Sequence, residues 1–438
     1  LNKKNKTFYF IFSCVFFASA VFVTPTKSEA KIILNWNKCI ELAREKNTDL
    51  KTAVHTLETY RYSVKQAYGT FLPEVVAGMD ITKNNKSERA RNTAISITER
   101  FFSGFSDISN LQQKKYQLAN SELDFKAAKA ELTYNLRAAV AAVLYAKDFL
   151  KVSKGIVDRR ESNYKKVELL FENGRENRGT LLIIKGLLHR SQIEYEETKD
   201  LKVWADKELS SLLDLPIEED IELDPSVTIA SLVNESDRKD QIEMYRSAEL
   251  NKRLSFDMIT SSFDYQKSIN NELSSAAAVN SSRSAFFPTL SLTQSYNKVY
   301  DFENDPVKGW SLTLSISVPI FNGGQNYYDT RVSLENQIIA VLNKHKAEHD
   351  IEKTLLVALK ELYRKVDKIK VEKELLDAYE LSDKMATEQY LTSFMSFRDW
   401  NWAYSDLVEQ QLNYFTIQND LVLQQALVEK LEGKSLLE

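Results

Sequence analysis

His345 and His349 flank Glu348 in "HKAEH", the H-x-x-E-H order in which two imidazoles one helical turn apart hold zinc beside a working glutamate. That chemistry needs more than this stretch supplies. Two histidines do not complete a zinc site, no convincing third-ligand context follows, and Lys344 and Lys346 mark a solvated helix face. His55 and His189 stand alone. The Gly323-Gly324 pair lacks the lysine and the G-x-G-x-x-G spacing of a phosphate-cradling loop, and reads as a corner between strand and helix. No nucleophile, base and orienting group form a set. Neither a metal nor a cofactor is expected, and the chain does not read as an enzyme.

The glycine pair closes a different kind of signal, "GWSLTLSISVPIFNGGQ" (309–325). Trp310, Leu312, Leu314, Ile316 and Val318 share one face of a strand, and Ser311, Thr313, Ser315 and Ser317 share the other. The polar face carries no charge. A soluble sheet would usually place Lys, Glu or Arg there, whereas a membrane β-barrel turns apolar residues to lipid and small polar ones to an aqueous lumen. A strand over 310–320, tilted about 45°, rises roughly 26 Å, which matches the apolar band of such barrels. Aromatic residues near strand ends (Phe101, Phe102, Phe286, Phe287, Tyr296, Tyr300, Trp310, Phe321) suit its interfacial girdles.

The remaining sequence is helical in character. Its 438 residues contain 11 Gly and 7 Pro, with none of the prolines between Pro73 and Pro216 or after Pro319, so long helices run unbroken. A stretch from Ser106 to about Leu170 would extend roughly 95 Å. Seven-residue seams run through Leu136, Val143, Leu150, Val157, Tyr164 and Phe171, through Leu118, Phe125, Leu132, Ala139 and Ala146, and through Leu355, Leu362, Ile369 and Leu376. Such seams imply coiled-coil packing, the double one with neighbours on two sides. The net charge of −4 argues against a nucleic-acid binder.

The order of elements occurs twice. "YGTFLPEVVAGMD" (68–80) answers "SAFFPTLSLTQSY" (284–296), "FFSGF" (101–105) answers "IFNGG" (320–324), and Phe171 and Gly174 answer Tyr390 and Ser393. Each half reads as a helix, a Phe-Pro corner, two strands, a Gly corner and a long helical hairpin. The strands are expected near 74–83 and 92–102, then 289–300 and 310–320, with polar "NNKSERAR" and "DFENDPVKG" between them. Residues 31–215 form the first repeat, 216–240 an acidic linker that adds at most a short element, and 241–438 the second repeat. Residues 1–30 read as a secretory signal peptide, with Lys3, Lys4 and Lys6 ahead of an apolar core and Ser28 and Ala30 at its end. Its removal leaves Cys39 as the one cysteine, so no intrachain disulfide is expected.

Four strands per chain cannot sit in lipid as an open sheet, because the edges would be unsatisfied. Two chains would make a filled eight-stranded barrel and three a twelve-stranded one with a pore, which favours the trimer.

Motifs and order together resemble the TolC-like outer membrane efflux proteins. The resemblance rests on "WNKCIELAREKNTDLKTA" (36–53), the corners "FLP" and "FFP", "VPIFNGG" (318–324), and an aromatic-x-x-Gly tip followed by Asp and Ala. It implies a mostly α fold with a small transmembrane β-barrel: long coiled-coil hairpins and four strands per chain. The homotrimer then makes a 12-stranded barrel in outer membrane lipid and an α-helical periplasmic tunnel. It also implies a passive exit duct in a Gram-negative envelope, serving a tripartite efflux or type I secretion system. The partners are a periplasmic adaptor and an inner-membrane transporter.

By the same resemblance the hairpin tips, with Phe171, Gly174, Arg175 and Ser393, meet the adaptor, and Tyr390, Asp399, Thr180, Met395 and Trp402 belong to the periplasmic entrance. Pro319, Gly323 and Gly324 form the strand-to-helix corner. The chain departs from the family at several of these positions: Arg175 replaces an apolar residue, Ser393 a glycine, Thr180 and Trp402 acids, and Met395 a basic residue. Three copies of Asp399 still imply an acidic ring favouring cations. The closing bonds must be looser or come from other contacts, with Arg398, Arg178 and Arg175 as candidates. The competing reading is a secreted structural or adhesive coiled-coil envelope protein without a channel. It leaves the uncharged face of 311–317 unexplained.

Overall fold

A computed structural model describes residues 32–84, 87–216, 221–232, 235–251, 256–301, 306–392 and 394–437. The signal-peptide reading of 1–30 and the tip residue Ser393 lie outside the described residues. The chain starts with a short strand β1 (Ile32–Leu34) and two helices, α1 (Trp36–Lys46) and α2 (Thr48–Tyr68). Asparagines punctuate this start. Asn35 Oδ1 accepts from the Lys38 amide at 2.8 Å and Asn47 Oδ1 from the Leu50 amide at 2.9 Å, each satisfying a first-turn N–H that has no intrahelical partner.

The first repeat continues through β2 (Glu74–Asn84), β3 (Ser87–Ser103), the 67-residue helix α3 (Ser106–Glu172) and the 35-residue helix α4 (Arg178–Leu212). After β4 (Ile221–Leu223), α5 (Glu235–Asn251) and α6 (Phe256–Ser261), the second repeat runs through α7 (Phe263–Arg283), β5 (Thr289–Asp301), β6 (Val307–Ser317), α8 (Gln325–Leu391) and α9 (Phe397–Leu431). Helices α8 and α9 again have 67 and 35 residues, and α7 matches α2 at 21. Equal lengths follow from equal punctuation: a 3-10 turn and Phe-Pro before the strands, and a left-handed corner after them. Gly323 (φ +70°) and Gly324 (φ +84°) make that corner in the second repeat. Gly104 (φ +65°) makes it in the first, where a Cβ would also stand 2.5 Å from the Ser284 carbonyl oxygen.

Helices α3 and α8 run the whole length of the helical body and pack against different neighbours in its two halves. Toward the strands the order is α2, α3, α7, α8, tied by Lys344–Glu272 (2.5 Å) and by Asn120 Nδ2 donating to Asn271 Oδ1 (2.7 Å). Away from them it is α4, α3, α9, α8. The double seam has this cause: Leu132, Leu136, Ala139, Val143 and Ala146 of α3 are all buried, as are Leu355, Leu362 and Leu376 of α8.

The largest core lies midway along the body, where α1, α3, the end of α4 and α9 converge on Cys39, Leu136, Val140, Leu209 and Val422. A parallel pairing of β1 with β4 covers it. The 216–240 stretch thus does more than join halves: Ile221, Leu223, Val227 and Leu232 are part of this core. Arg137 and Glu429 form an ion pair inside the body, each side chain 6% exposed, with Gln425 Nε2 donating to the other carboxylate oxygen at 3.1 Å.

Two strand boundaries differ from the sequence reading. β6 covers 307–317 rather than 310–320, so Val318 lies just past its end, ahead of Pro319, which has no N–H for a ladder. β3 begins at Ser87 and pairs with β2 as far as Asn84↔Ser87, so most of "NNKSERAR" is strand rather than loop. Backbone pairing continues past the apolar band because the ladder hydrogen bonds do not depend on side-chain polarity.

Candidate functional site

Two regions carry the expected residues: the four-stranded sheet at one end of the body and the paired hairpin tips at the other. The sheet is antiparallel in the order β2-β3-β5-β6, leaving β2 and β6 as edges. The register sorts its faces. Leu290↔Ile316, Leu292↔Leu314 and Tyr296↔Trp310 pair on one face, joined by Ile95 and Ile97 of β3 and by Val75, Ala77, Met79 and Ile81 of β2. Trp310, Leu312, Leu314 and Ile316 are open to solvent in the single chain, Leu314 at 61%.

The opposite face pairs Thr289↔Ser317, Ser291↔Ser315, Thr293↔Thr313 and Ser295↔Ser311. Hydroxyls bridge its strands: Ser295 Oγ lies 2.8 Å from Ser311 Oγ, and Thr98 Oγ1 lies 3.2 Å from Thr293 Oγ1. A sheet apolar on one face and lined with small hydroxyls on the other suits lipid outside and water inside. Where sheet meets helices, Phe102, Phe105 and Phe287 pack edge to face, with centroids 5.1 and 5.9 Å apart. No helix among the described residues is long and apolar enough to cross a membrane.

At the far end α3 turns into α4 through residues 173–177. The Gly174 N–H donates to the Phe171 carbonyl (2.9 Å) and the Arg175 N–H to that of Leu170 (2.8 Å), the paired bonds of a Schellman stop, with Gly174 at φ +68°. Asn177 starts α4, its Oδ1 accepting from the buried Thr180 amide at 2.9 Å. The second tip repeats the device with Ser396. Its Oγ accepts from the Asp399 amide (3.2 Å) and donates to Asp399 Oδ2 (2.6 Å). Ser396 therefore caps α9, and the Asp399 carboxylate holds the Ser396 hydroxyl in place while complementing the positive N-terminal end of the helix.

Thr180, Arg175, Tyr390 and Met395 come together around one cleft of about 730 Å³, with Glu176, Phe397 and Arg398. Asp399 and Trp402 do not line it. Both lie on the exposed side of α9, the Arg398 guanidinium 5.1 Å above the Trp402 ring and 3.8 Å from Asp399. Phe171 is partly exposed at the end of α3. Tyr390 is buried, stacked on Trp400 at 4.3 Å with Phe397 edge-on to both. Burial and then the nearby Glu176 carboxylate hold its phenol well above the usual tyrosine range, although among the described residues no hydrogen bond of good geometry reaches the hydroxyl. Packing, rather than a hydrogen bond, fixes Tyr390.

The contacts that tie one hairpin to the other were not legible from the motifs. Arg159 of α3 reaches Asp383 of α8 through Nη2 at 2.5 and 2.6 Å, and Thr387 Oγ1 at 3.3 Å. Trp400 Nε1 donates to the same threonine at 3.1 Å. Arg160 donates to Asn401 Oδ1 at 2.7 Å, and both arginines lie against the Tyr404 ring, at 4.3 and 4.7 Å. Partners more than 200 residues apart leave no local signal. In "HKAEH" the imidazole of His345 is exposed 3.8 Å from Glu348, and among the described residues no three His, Cys, Asp or Glu side chains gather as metal ligands.

Comparison with known proteins follows the same two-part plan. No curated protein sequence matches the chain. Similar solved structures include VceC, an outer membrane protein of Vibrio cholerae, at 15% identity and a TM-score of 0.76, covering 92% of this chain and 96% of that one. The Campylobacter jejuni CmeC outer membrane channel is similar at 18% and 0.74, covering 91% and 85%. The open state of the Neisseria gonorrhoeae MtrE outer membrane channel is similar at 18% and 0.74, covering 90% and 88%. These show the fold. The sequence pattern described as outer membrane efflux protein matches residues 39–213 and 258–434, one stretch in each repeat and most of the chain, so this protein belongs to the outer membrane efflux protein family.

Proposed function

We propose that three copies of this chain form an outer-membrane channel-tunnel, the passive exit duct of a tripartite efflux or type I secretion system. The observation that carries it is the sheet: one apolar and one hydroxyl-lined face, with the outer edges of β2 and β6 unpaired in the single chain. Unpaired backbone cannot stand in hydrocarbon, and β6 of one copy pairing with β2 of the next removes every edge. Twelve strands leave a lumen, which eight would fill. In the half away from the strands the helical layer has an apolar open side on each flank, with Trp204, Ile193 and Val203 exposed on α4 and Val371, Leu375 and Leu381 on α8. Apolar stripes of this kind support closure into a helical tunnel.

In this reading the sheet sits in the outer membrane, residues 1–30 direct export, and the helices cross the periplasm. The tips at Phe171, Gly174, Arg175 and Ser393 face an adaptor, which links the duct to an inner-membrane transporter. Asp399 contributes an acidic ring at the entrance while accepting from the Ser396 hydroxyl that caps its helix. Closure falls to contacts between the hairpins, led by Arg159–Asp383, in place of the family's bonds at Thr180 and Met395. Fractionation and planar-bilayer recording test this. A heat-resistant trimer in the outer membrane that conducts, and loses cation preference in Asp399→Ala, supports the duct and the ring. A soluble periplasmic monomer refutes the duct, and unchanged selectivity refutes the ring.

A further inference from the structure

The apolar face of the sheet ends in a row of cations at its hairpin end, the end away from the helices. Lys298 of β5 stands directly opposite Lys308 of β6, one pair beyond Tyr296↔Trp310. Arg91 of β3 stands opposite Tyr300 on the same face. Tyr300 lies between the charges, with Lys298 Nζ 4.5 Å and the Arg91 guanidinium 5.8 Å from its ring centre. Two ammonium groups across a strand pair repel each other, and a sheet does not keep such a pair without compensation. Among the described residues no ion pair reaches Arg91, Lys298 or Lys308, Tyr300 is the neighbour they share, and Arg91 Nε points at the Met79 sulfur, a weak acceptor, at 3.2 Å.

The opposite end of the face is not cationic in this way, for it carries Glu99 opposite Leu292. The asymmetry has a direction. Because the helices leave the sheet at the Glu99 end, the cationic end is the outer one in the channel reading, on which this inference rests. The row also lies just past the aromatic pair that marks the band edge, at headgroup depth rather than in hydrocarbon.

We propose that Lys298, Lys308 and Arg91 bind the phosphate of an outer-leaflet lipid headgroup, whose acyl chains lie along the apolar face below. The guanidinium supplies paired donors and the ammoniums point charges, and the phosphate relieves their mutual repulsion. Three sites surround the trimer.

The test uses the purified full-length trimer, titrated in detergent with bis-phosphorylated lipid A, with its dephosphorylated form and with inorganic phosphate, and read by native mass spectrometry. Lipid A adducts are expected on the wild type. At roughly fivefold per cation, Lys298→Gln/Lys308→Gln should weaken binding about 25-fold, whereas Lys298→Arg/Lys308→Arg keeps it within about twofold. Equal binding by wild type and the double glutamine variant overturns the proposal, as does equal binding of the dephosphorylated lipid. Inorganic phosphate binding as tightly as lipid A overturns the assignment to a lipid. Trimer assembly and conductance on the same samples separate the two readings. A glutamine variant that assembles, conducts and retains lipid A sinks only this inference, while a wild type that neither assembles nor conducts sinks the channel.

Discussion

An arginine placed at position 314 and one placed at position 315 test the orientation of the sheet with a single residue step. Leu314 pairs with Leu292 on the apolar face, inside the run from Trp310 to Ile316, and is 61% exposed in the single chain. Ser315 pairs with Ser291 on the hydroxyl face. A lipid-facing arginine near the middle of the band costs about 2–4 kcal/mol. A trimer carries the change three times, so Leu314→Arg is expected to cost about 6–12 kcal/mol per assembly. Ser315→Arg puts the same side chain into water and leaves assembly intact, narrowing the lumen. The assay is the yield of heat-resistant trimer in the outer membrane on unheated gels, followed by conductance of the purified channel. Loss of trimer for Leu314→Arg together with a smaller conductance for Ser315→Arg is the expected pair of results. Equal trimer yield for both would refute the assignment of faces and, with it, the membrane reading of the sheet.

Removing one half of the buried Arg137–Glu429 pair should matter more than removing both. Arg137→Met is expected to cost about 3–5 kcal/mol by stranding the carboxylate, and Arg137→Met/Glu429→Leu to recover most of it; thermal unfolding of purified protein decides. Tyr390→Phe removes a buried hydroxyl that faces Glu176 without a well-formed hydrogen bond among the described residues, so stability should hold or rise. A loss above about 1 kcal/mol would show that assembly supplies one. Burial pushes the Cys39 thiol up from 9.0 to about 11, so Cys39 should resist thiol reagents at pH 8 until the protein unfolds. Since the folded state raises this pKa, the thiol's contribution is complete below pH 9 and fades as pH climbs toward 11, measurable as a melting temperature that falls less steeply over this range in Cys39→Ala than in the wild type.

Periodicity made the main elements legible in the sequence. Missing prolines announced α3 and α8, the seven-residue seams named Leu132, Leu136, Val143, Leu355 and Leu362 among the side chains they bury but ran on to the exposed Phe171, and strict alternation sorted the faces of β6. Repeated corners fixed the order of both halves, because Phe-Pro and Gly-Gly impose local backbone geometry whatever surrounds them. Boundaries were less legible. β6 stops at Ser317 because proline follows two residues later, and β3 runs back to Ser87 through polar residues whose backbone still pairs.

Tertiary structure decided what depends on residues far apart in the chain. That Arg159 binds Asp383 across 224 residues and Arg160 binds Asn401 across 241 arises from two hairpins packing side by side. The same holds for β4, which enters the central core from a stretch that reads as an acidic linker. Local sequence sets dihedral preferences and the burial stripe of each element. Which stripe meets which, and so which charges pair and which remain to face a lipid, is set only when the helices and strands come together.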